Sequence, residues 1–230
     1  MSNYFQFNNQ KKMKNKHIFK SLILLLAFLF TANFTMAQKD EKAQKILDDM
    51  SEFYLGLSAF SADVHQEMIS INDGKMGDLD IKAIISGNKY QMHLEGQVIY
   101  SDAKTVYRYD QEMDEVTIEE ADSEGELASS PAEIYQLYKK NFKYLYTGRE
   151  GGYDIVDLSP EKGTDINYFR IRMYIKPATH ELVKWEMFEK GNQNKQVFTI
   201  SNFKKNITVT DTDFKFDTSK HPDVEVVDLR

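Results

Sequence analysis

The sequence predicts an α+β fold, a meander of short antiparallel strands curled around two amphipathic helices. Three observations predict it. Apolar and polar residues alternate in about ten short segments, the mark of half-buried strands. Turns rich in Gly, Asn and Asp separate these segments at regular spacing. Two further stretches, 39–57 and 131–142, switch to three- and four-residue spacing, so two helices need a sheet face on which to bury their apolar stripes.

The chain opens with Lys11, Lys12, Lys14, Lys16 and Lys20, then the apolar run Leu22 to Phe30, then Thr35-Met36-Ala37. A basic region, a short apolar run and small residues at the cut are the order of a secretory signal peptide. The run is short of the ~20 apolar residues a transmembrane helix needs. Residues 1–37 are therefore expected to be cleaved, with Met13 an alternative start. Residues 38–230 are expected to form one domain, exported and soluble in the periplasm.

The first helix spans 39–57, with Ile46, Met50, Phe53 and Leu57 at helical spacing. The period becomes two from Phe60, where Phe60, Ala62, Val64, Gln66 and Met68 share a face. Asn72 to Lys75 is a hairpin turn. Strands follow at 79–85, 90–94, 98–100, 105–109 and 115–119. Residues 120–130 are acidic and small, an exposed loop. Pro131 suits the first turn of a second helix, whose Ile134, Leu137, Tyr138 and Phe142 fall on one side. Strands resume at 144–147, 154–158, 167–175, 183–187 and 198–201. A further short strand is expected at 207–209, and an acidic tail ends in 224–229.

Losing five lysines and no acid with residues 1–37 takes the formal net charge from −7 to −12. Such a surface disfavours nucleic acid, whose phosphates are neutralised by Lys and Arg, and anionic membranes. With no cysteine there is no disulfide, catalytic thiol or Cys-ligated zinc. The lipidated N-terminal cysteine of a bacterial lipoprotein is excluded too. With 13 Tyr, 15 Phe and 10 Met, the chain is either a well-packed β-protein or one with an adaptable apolar pocket.

No catalytic pattern stands out. His65, His93, His180 and His221 are not spaced as ligands on one helix, and no G-x-S-x-G elbow occurs. His65 and Glu67 share a strand face, either a surface metal pair or solvated polar residues. Gly148 to Gly152 lacks the Lys-Ser/Thr of a phosphate loop. Asp211, Asp213 and Asp217 lack the Gly and Glu of a calcium loop. No enzyme activity, metal or cofactor is expected.

The aromatics and methionines gather on one alternating face: Tyr90, Met92, Tyr107, Tyr109, Phe169, Ile171, Met173, Trp185, Met187 and Phe198. Periodicity alone allows two readings, a core packed on two helices or an apolar cavity gated by them.

Three stretches resemble the LolA family, periplasmic carriers of outer-membrane lipoproteins. The first is the opening helix with Leu57 to Val64. The second is Ser101-Asp102-Ala103-Lys104-Thr105-Val106-Tyr107-Arg108-Tyr109-Asp110 running into Asp114 to Thr117. The third is Asn206 to Arg230, with Phe214-Lys215-Phe216 and Val224 to Asp228. The resemblance implies a strongly curved antiparallel sheet forming an unclosed β-barrel, with helices covering its concave face. It implies that acyl chains bind Tyr90, Met92, Leu94, Tyr107, Tyr109, Ile171, Met173, Trp185, Met187 and Phe198, under a lid of Ile134, Leu137 and Tyr138. The implied partners are acylated lipoproteins, an inner-membrane ABC-type lipoprotein-releasing complex and an outer-membrane acceptor, the carrier itself being a monomer. Two positions depart from the family pattern: Ser86 stands near the place of an Arg that latches the lid, and Gln111 where a Pro is usual. Other readings are a carrier of another lipid and an envelope lipid sensor of the same fold.

Overall fold

A computed structural model of the chain describes residues 40–121, 131–164, 166–191 and 194–230. The expected signal peptide and most of the acidic loop at 120–130 lie outside the described residues.

Asp40 starts the first element. Its Oδ1 accepts the backbone N–H groups of Lys42 and Ala43, each at 3.0 Å, capping helix α1 (Glu41–Leu55). A carboxylate here satisfies N–H groups that the helix itself leaves unpaired. The buried stripe of α1 is Ala43, Leu47, Met50, Ser51 and Tyr54, at the spacing of one helical face.

Twelve strands follow in one sheet: β1 (Phe60–Ser70), β2 (Gly74–Ser86), β3 (Lys89–Leu94), β4 (Gln97–Ser101), β5 (Thr105–Asp110), β6 (Glu115–Glu120), β7 (Phe142–Glu150), β8 (Tyr153–Pro160), β9 (Tyr168–Ile175), β10 (Leu182–Glu189), β11 (Lys195–Lys205) and β12 (Glu225–Asp228). The spatial order is β12-β6-β5-β4-β3-β2-β1-β11-β10-β9-β8-β7. Two antiparallel meanders, β1–β6 and β7–β11, therefore meet where β1 pairs with β11. Only β12 is parallel to its neighbour, β6.

This corrects the expected architecture. The sheet is open and is not rolled into a strongly curved barrel, and α1 is the one α-helix among the described residues. The edges are covered locally instead. Asp40 Oδ2 accepts the N–H of Tyr146 on edge strand β7 at 2.8 Å, and β12 covers β6. Covered edges are how open sheets avoid pairing with other chains.

The expected second helix is two 3₁₀ segments, Pro131–Tyr135 and Leu137–Lys139. The reason lies in what is buried. Ile134 and Leu137 form one buried i,i+3 pair, and Tyr135 and Tyr138 form another. Residues three apart eclipse in a 3₁₀ turn. The segment lies between β6 and β7, strands near opposite ends of the sheet, and acts as a strap between them. The strand expected at 207–209 is also absent: the chain leaves the sheet at Asn206, whose φ is +55°, and Ile207 N–H bonds the Ala59 carbonyl at 3.2 Å.

The main core lies where α1 and the strap meet one sheet face, around Leu47, Met50, Tyr54, Phe60, Leu137, Val156, Ile171 and Met173. A second cluster of Tyr109, Val116, Ile118 and Phe216 lies on the opposite face. The ladder shows why. Met92 opposes Ile99 and Ile99 opposes Arg108, whereas Tyr107 opposes Tyr100 and Tyr109 opposes Val98. Directly opposed residues share a face and sequence neighbours do not.

Candidate functional site

Along the main-core face the side chains are not equally covered. Phe60, Ala62, Ala83 and Ile85 are buried, whereas Val64, Ile81, Met92, Trp185, Met187, Phe198 and Ile200 are half-buried. These residues line an apolar pocket of 580 Å³ beside the strap. That volume falls in the range of small-ligand sites, roughly 300–1,000 Å³.

Sheet register builds the floor. Phe60 opposes Ile85, Ala62 opposes Ala83 and Val64 opposes Ile81, and Ala83 in turn opposes Met92. Two alanines face to face leave space that larger side chains would occupy. One wall is Trp185, directly opposite Phe198, with their rings stacked at 4.5 Å and 5° between planes. An irregularity in the β1–β11 pairing adds Phe203. Asn202 adopts φ +50° where β11 holds one residue more than β1, and the extra residue turns Phe203 toward Phe60, ring centroids 5.5 Å apart. A bulge re-aims side chains in this way.

The strap residues Pro131, Ile134, Tyr135 and Leu137 form the opposite wall. Three contacts hold the strap to α1. Tyr135 stacks on Tyr54 with centroids 3.6 Å apart. Tyr138 donates its phenolic O–H to Asp48 Oδ1. Lys139 Nζ donates to Ser51 Oγ at 3.3 Å. Tyr54 is itself fixed, since its hydroxyl accepts the Leu182 N–H at 3.2 Å and donates to the Leu182 carbonyl at 3.4 Å. Burial pushes the phenols of Tyr54 and Tyr135 up, and burial followed by the Asp48 carboxylate pushes Tyr138 up. All three stay protonated at neutral pH.

The pocket has one polar end. Gln66 Nε2 donates to Gln196 Oε1 at 3.1 Å. Gln196 Nε2 donates to Tyr168 Oη at 3.1 Å and to Glu189 Oε1 at 3.2 Å. Gln196, Tyr168 and Asn167 line the pocket here, and no lining residue is charged.

Of the residues expected to bind acyl chains, Met92, Trp185, Met187, Phe198, Ile134 and Leu137 come together around this pocket. Tyr90, Ile171 and Met173 are buried in the main core, and Leu94 packs against it. Tyr138 ties the strap to α1. Tyr107 and Tyr109 are not brought to this pocket: they lie on the opposite face beside Phe216. Sequence reasoning missed Ile81, Ala83, Ile85, Tyr135, Ile166 and Phe203. The alternation of β1, which did mark Phe60, Ala62 and Val64 as one face, was the available signal. Ser86, near the place where the resemblance leads one to expect an Arg, donates its hydroxyl to the Ser58 carbonyl at 2.9 Å.

His65 Nδ1 lies 2.7 Å from Asp80 Oδ1, with Glu67 and Asp78 near its other nitrogen. Among the described residues no His, Asp and Glu group has the arrangement of a metal site. Nor, among them, is any helix long and apolar enough to cross a membrane.

The family model described as outer membrane lipoprotein carrier protein LolA matches residues 56–217. An uncharacterized protein of Methanocaldococcus jannaschii is 28% identical over 216 residues, which cover 89% of this chain; the chain spans 58% of that relative's length. Among solved structures, an uncharacterized conserved protein from Thermus thermophilus aligns with a TM-score of 0.55 at 14% identity, covering 81% of this chain and 99% of the other. A LolA superfamily protein from Nitrosomonas europaea aligns at 0.43 and 11% identity, covering 76% and 98%.

Proposed function

The chain belongs to the LolA family, and we propose that it is a periplasmic carrier that shields the acyl chains of lipoproteins between the inner and the outer membrane. It is a non-catalytic protein, as carriers of this family are. The observation that carries the reading is the uncharged apolar pocket beside the strap. Transferring a lipid anchor through water is costly. Each methylene is worth ~0.8 kcal/mol, so a chain of about 16 carbons exposes on the order of 12 kcal/mol. A protein that covers such a chain lowers that barrier, and one lined by Met, Ile and aromatic side chains adapts to its guest and can release it.

The amino-terminal pattern of residues 1–37 supports export and removal of that segment, leaving 38–230 as the carrier domain. An inner-membrane ABC-type complex would load the cargo and an outer-membrane acceptor would take it. The strap of Ile134, Leu137 and Tyr138 would be displaced as the pocket fills. A second reading, a carrier of another lipid, is favoured by one observation: a volume of 580 Å³ is the size of a single-ligand site.

The test is release from spheroplasts of the source cells. Added protein should bring newly made triacylated lipoproteins into the soluble fraction, bound to it. No release from spheroplasts shown to be making lipoproteins would contradict this reading and leave the second one standing.

A further inference from the structure

The pocket is covered unevenly along its length. At one end Phe60 and Ile85 oppose each other across β1 and β2, and both are buried. The rings of Tyr135 and Phe203 lie 6.0 and 5.5 Å from that of Phe60, centroid to centroid, so aromatic side chains close this end. The next pair is Ala62 and Ala83, also buried. Beyond it Val64 and Ile81 are half-buried, as are Phe198, Trp185 and Met187 further on. One end is thus shut and apolar, and the covering thins toward Gln196. Phe198 lies opposite Gln66, six residues along β1 from Phe60. The floor between them is therefore about 20 Å long, at ~3.3 Å per residue.

Resting on the carrier reading of this pocket, we propose that it measures the chain it holds: one saturated acyl chain enters methyl end first and stops against Phe60, Tyr135 and Phe203, and the Ala62–Ala83 pair sets how long a chain fits. A fully staggered chain of about 16 carbons is about 20 Å long, so it fills the floor and leaves its head at the open end. The two alanines matter because they stand next to the shut end. A branched side chain at either position would fill the pocket there and move its end one cross-strand pair toward Val64, about 7 Å. Each methylene beyond the fit stays at the thinly covered end, partly in water, and loses the gain that burial brings.

The test is extraction from a bilayer, where every chain starts equally buried. Phosphatidylcholine vesicles holding an equimolar mixture of saturated 1-monoacylglycerols, lauroyl to arachidoyl, are incubated with purified protein. The protein is then separated and its bound lipid identified by mass spectrometry. Trp185 is the only tryptophan of the chain and lines the pocket, so its fluorescence reports occupancy. A methylene covered in the pocket loses nothing relative to the bilayer, so chains up to palmitoyl should be taken equally, and each two-carbon step beyond should fall at least about fivefold. Ala83→Leu should bring that drop forward by about four carbons, so that palmitoyl is lost and lauroyl kept; Ala62→Leu serves if that variant does not fold. Bound lipid of every length in equal amount would overturn the proposal while leaving a lipid-binding pocket. A cutoff that neither leucine variant moves would overturn the assignment of chain length to the alanine pair. No bound lipid of any length would remove the carrier reading of the pocket and the proposal with it.

Discussion

Tyr138 and Asp48 lie 90 residues apart in sequence and share a hydrogen bond that ties the strap to helix α1. The acceptor is a carboxylate and the donor a phenol held protonated by burial, so the bond is of the charge-assisted kind. Ser86, near the place where the resemblance leads one to expect an Arg, donates to the Ser58 carbonyl instead. The contacts of Tyr135, Tyr138 and Lys139 thus join the strap to helix α1.

Tyr138→Phe removes the donor and keeps the ring. The strap should loosen, with a cost of about 1.5–3 kcal/mol, the range for hydrogen bonds to charged groups. Hydrogen exchange should show faster opening of 131–140 with little change in β8 and β9, and lipid association should be faster. Unchanged exchange in the strap would remove Tyr138 as its latch.

Val64→Phe tests the pocket as a container. Val64 is half-buried on the pocket floor, so a larger apolar side chain occupies vacant space. Thermal stability should stay within about 1.5 kcal/mol of the parent, as for tolerated apolar exchanges. Lipid affinity measured by Trp185 fluorescence should fall at least roughly tenfold.

Asp40 carries a pH dependence. Backbone N–H bonds from Ala43 and then Tyr146 hold its carboxyl below the ordinary value. A depressed carboxyl contributes stability that is present above its unfolded pKa of about 3.9 and is lost as pH falls through the folded value. Denaturant unfolding from pH 7 down to pH 2 should therefore show a smaller acid loss for Asp40→Asn than for the parent. At pH 7 the variant keeps the cap through its one amide oxygen but loses the acceptor for the Tyr146 N–H, so it should be the less stable of the two by about 0.5–1.5 kcal/mol, the scale of one lost hydrogen bond.

Phe216→Ala separates the two faces of the sheet. Phe216 is buried against Tyr109, with ring centroids 4.9 Å apart, so its removal should cost about 3–5 kcal/mol. Lipid affinity at a temperature where the variant is folded should be unchanged, because the pocket is on the other face. A matching loss of affinity would put Tyr107 and Tyr109 back among the binding residues.

Much of this fold is legible in the sequence. Helix α1 reads from its spacing, although the buried stripe runs through Leu47 and Tyr54, about one position from the expected Ile46 and Phe53. Both neighbours are apolar, so period alone cannot choose between them. Strand alternation is clear, but it divides a strand into two faces without saying which is which. On β5 both faces have a cover: the main-core face buries Val106, and the carboxy-terminal segment brings Phe216 to Tyr109 on the other. A rule that sends aromatics inward fails there. The 3₁₀ strap was hidden because Ile134, Leu137 and Tyr138 fit an α-helical stripe equally well, and only the burial of Tyr135 against Tyr54 breaks the tie. The parallel pairing of β12 depends on where the chain returns, a long-range fact with no local signature.

The central claim is that acyl chains enter the pocket between β1–β3, β10–β11 and the strap. The most direct measurement is site-specific photocrosslinking in cells fed a labelled fatty acid, with the photoreactive residue at position 198 in the pocket or at 107 on the opposite face. The account predicts labelled adducts from position 198 and none from 107. Adducts from 107 alone, or from neither position, would contradict it.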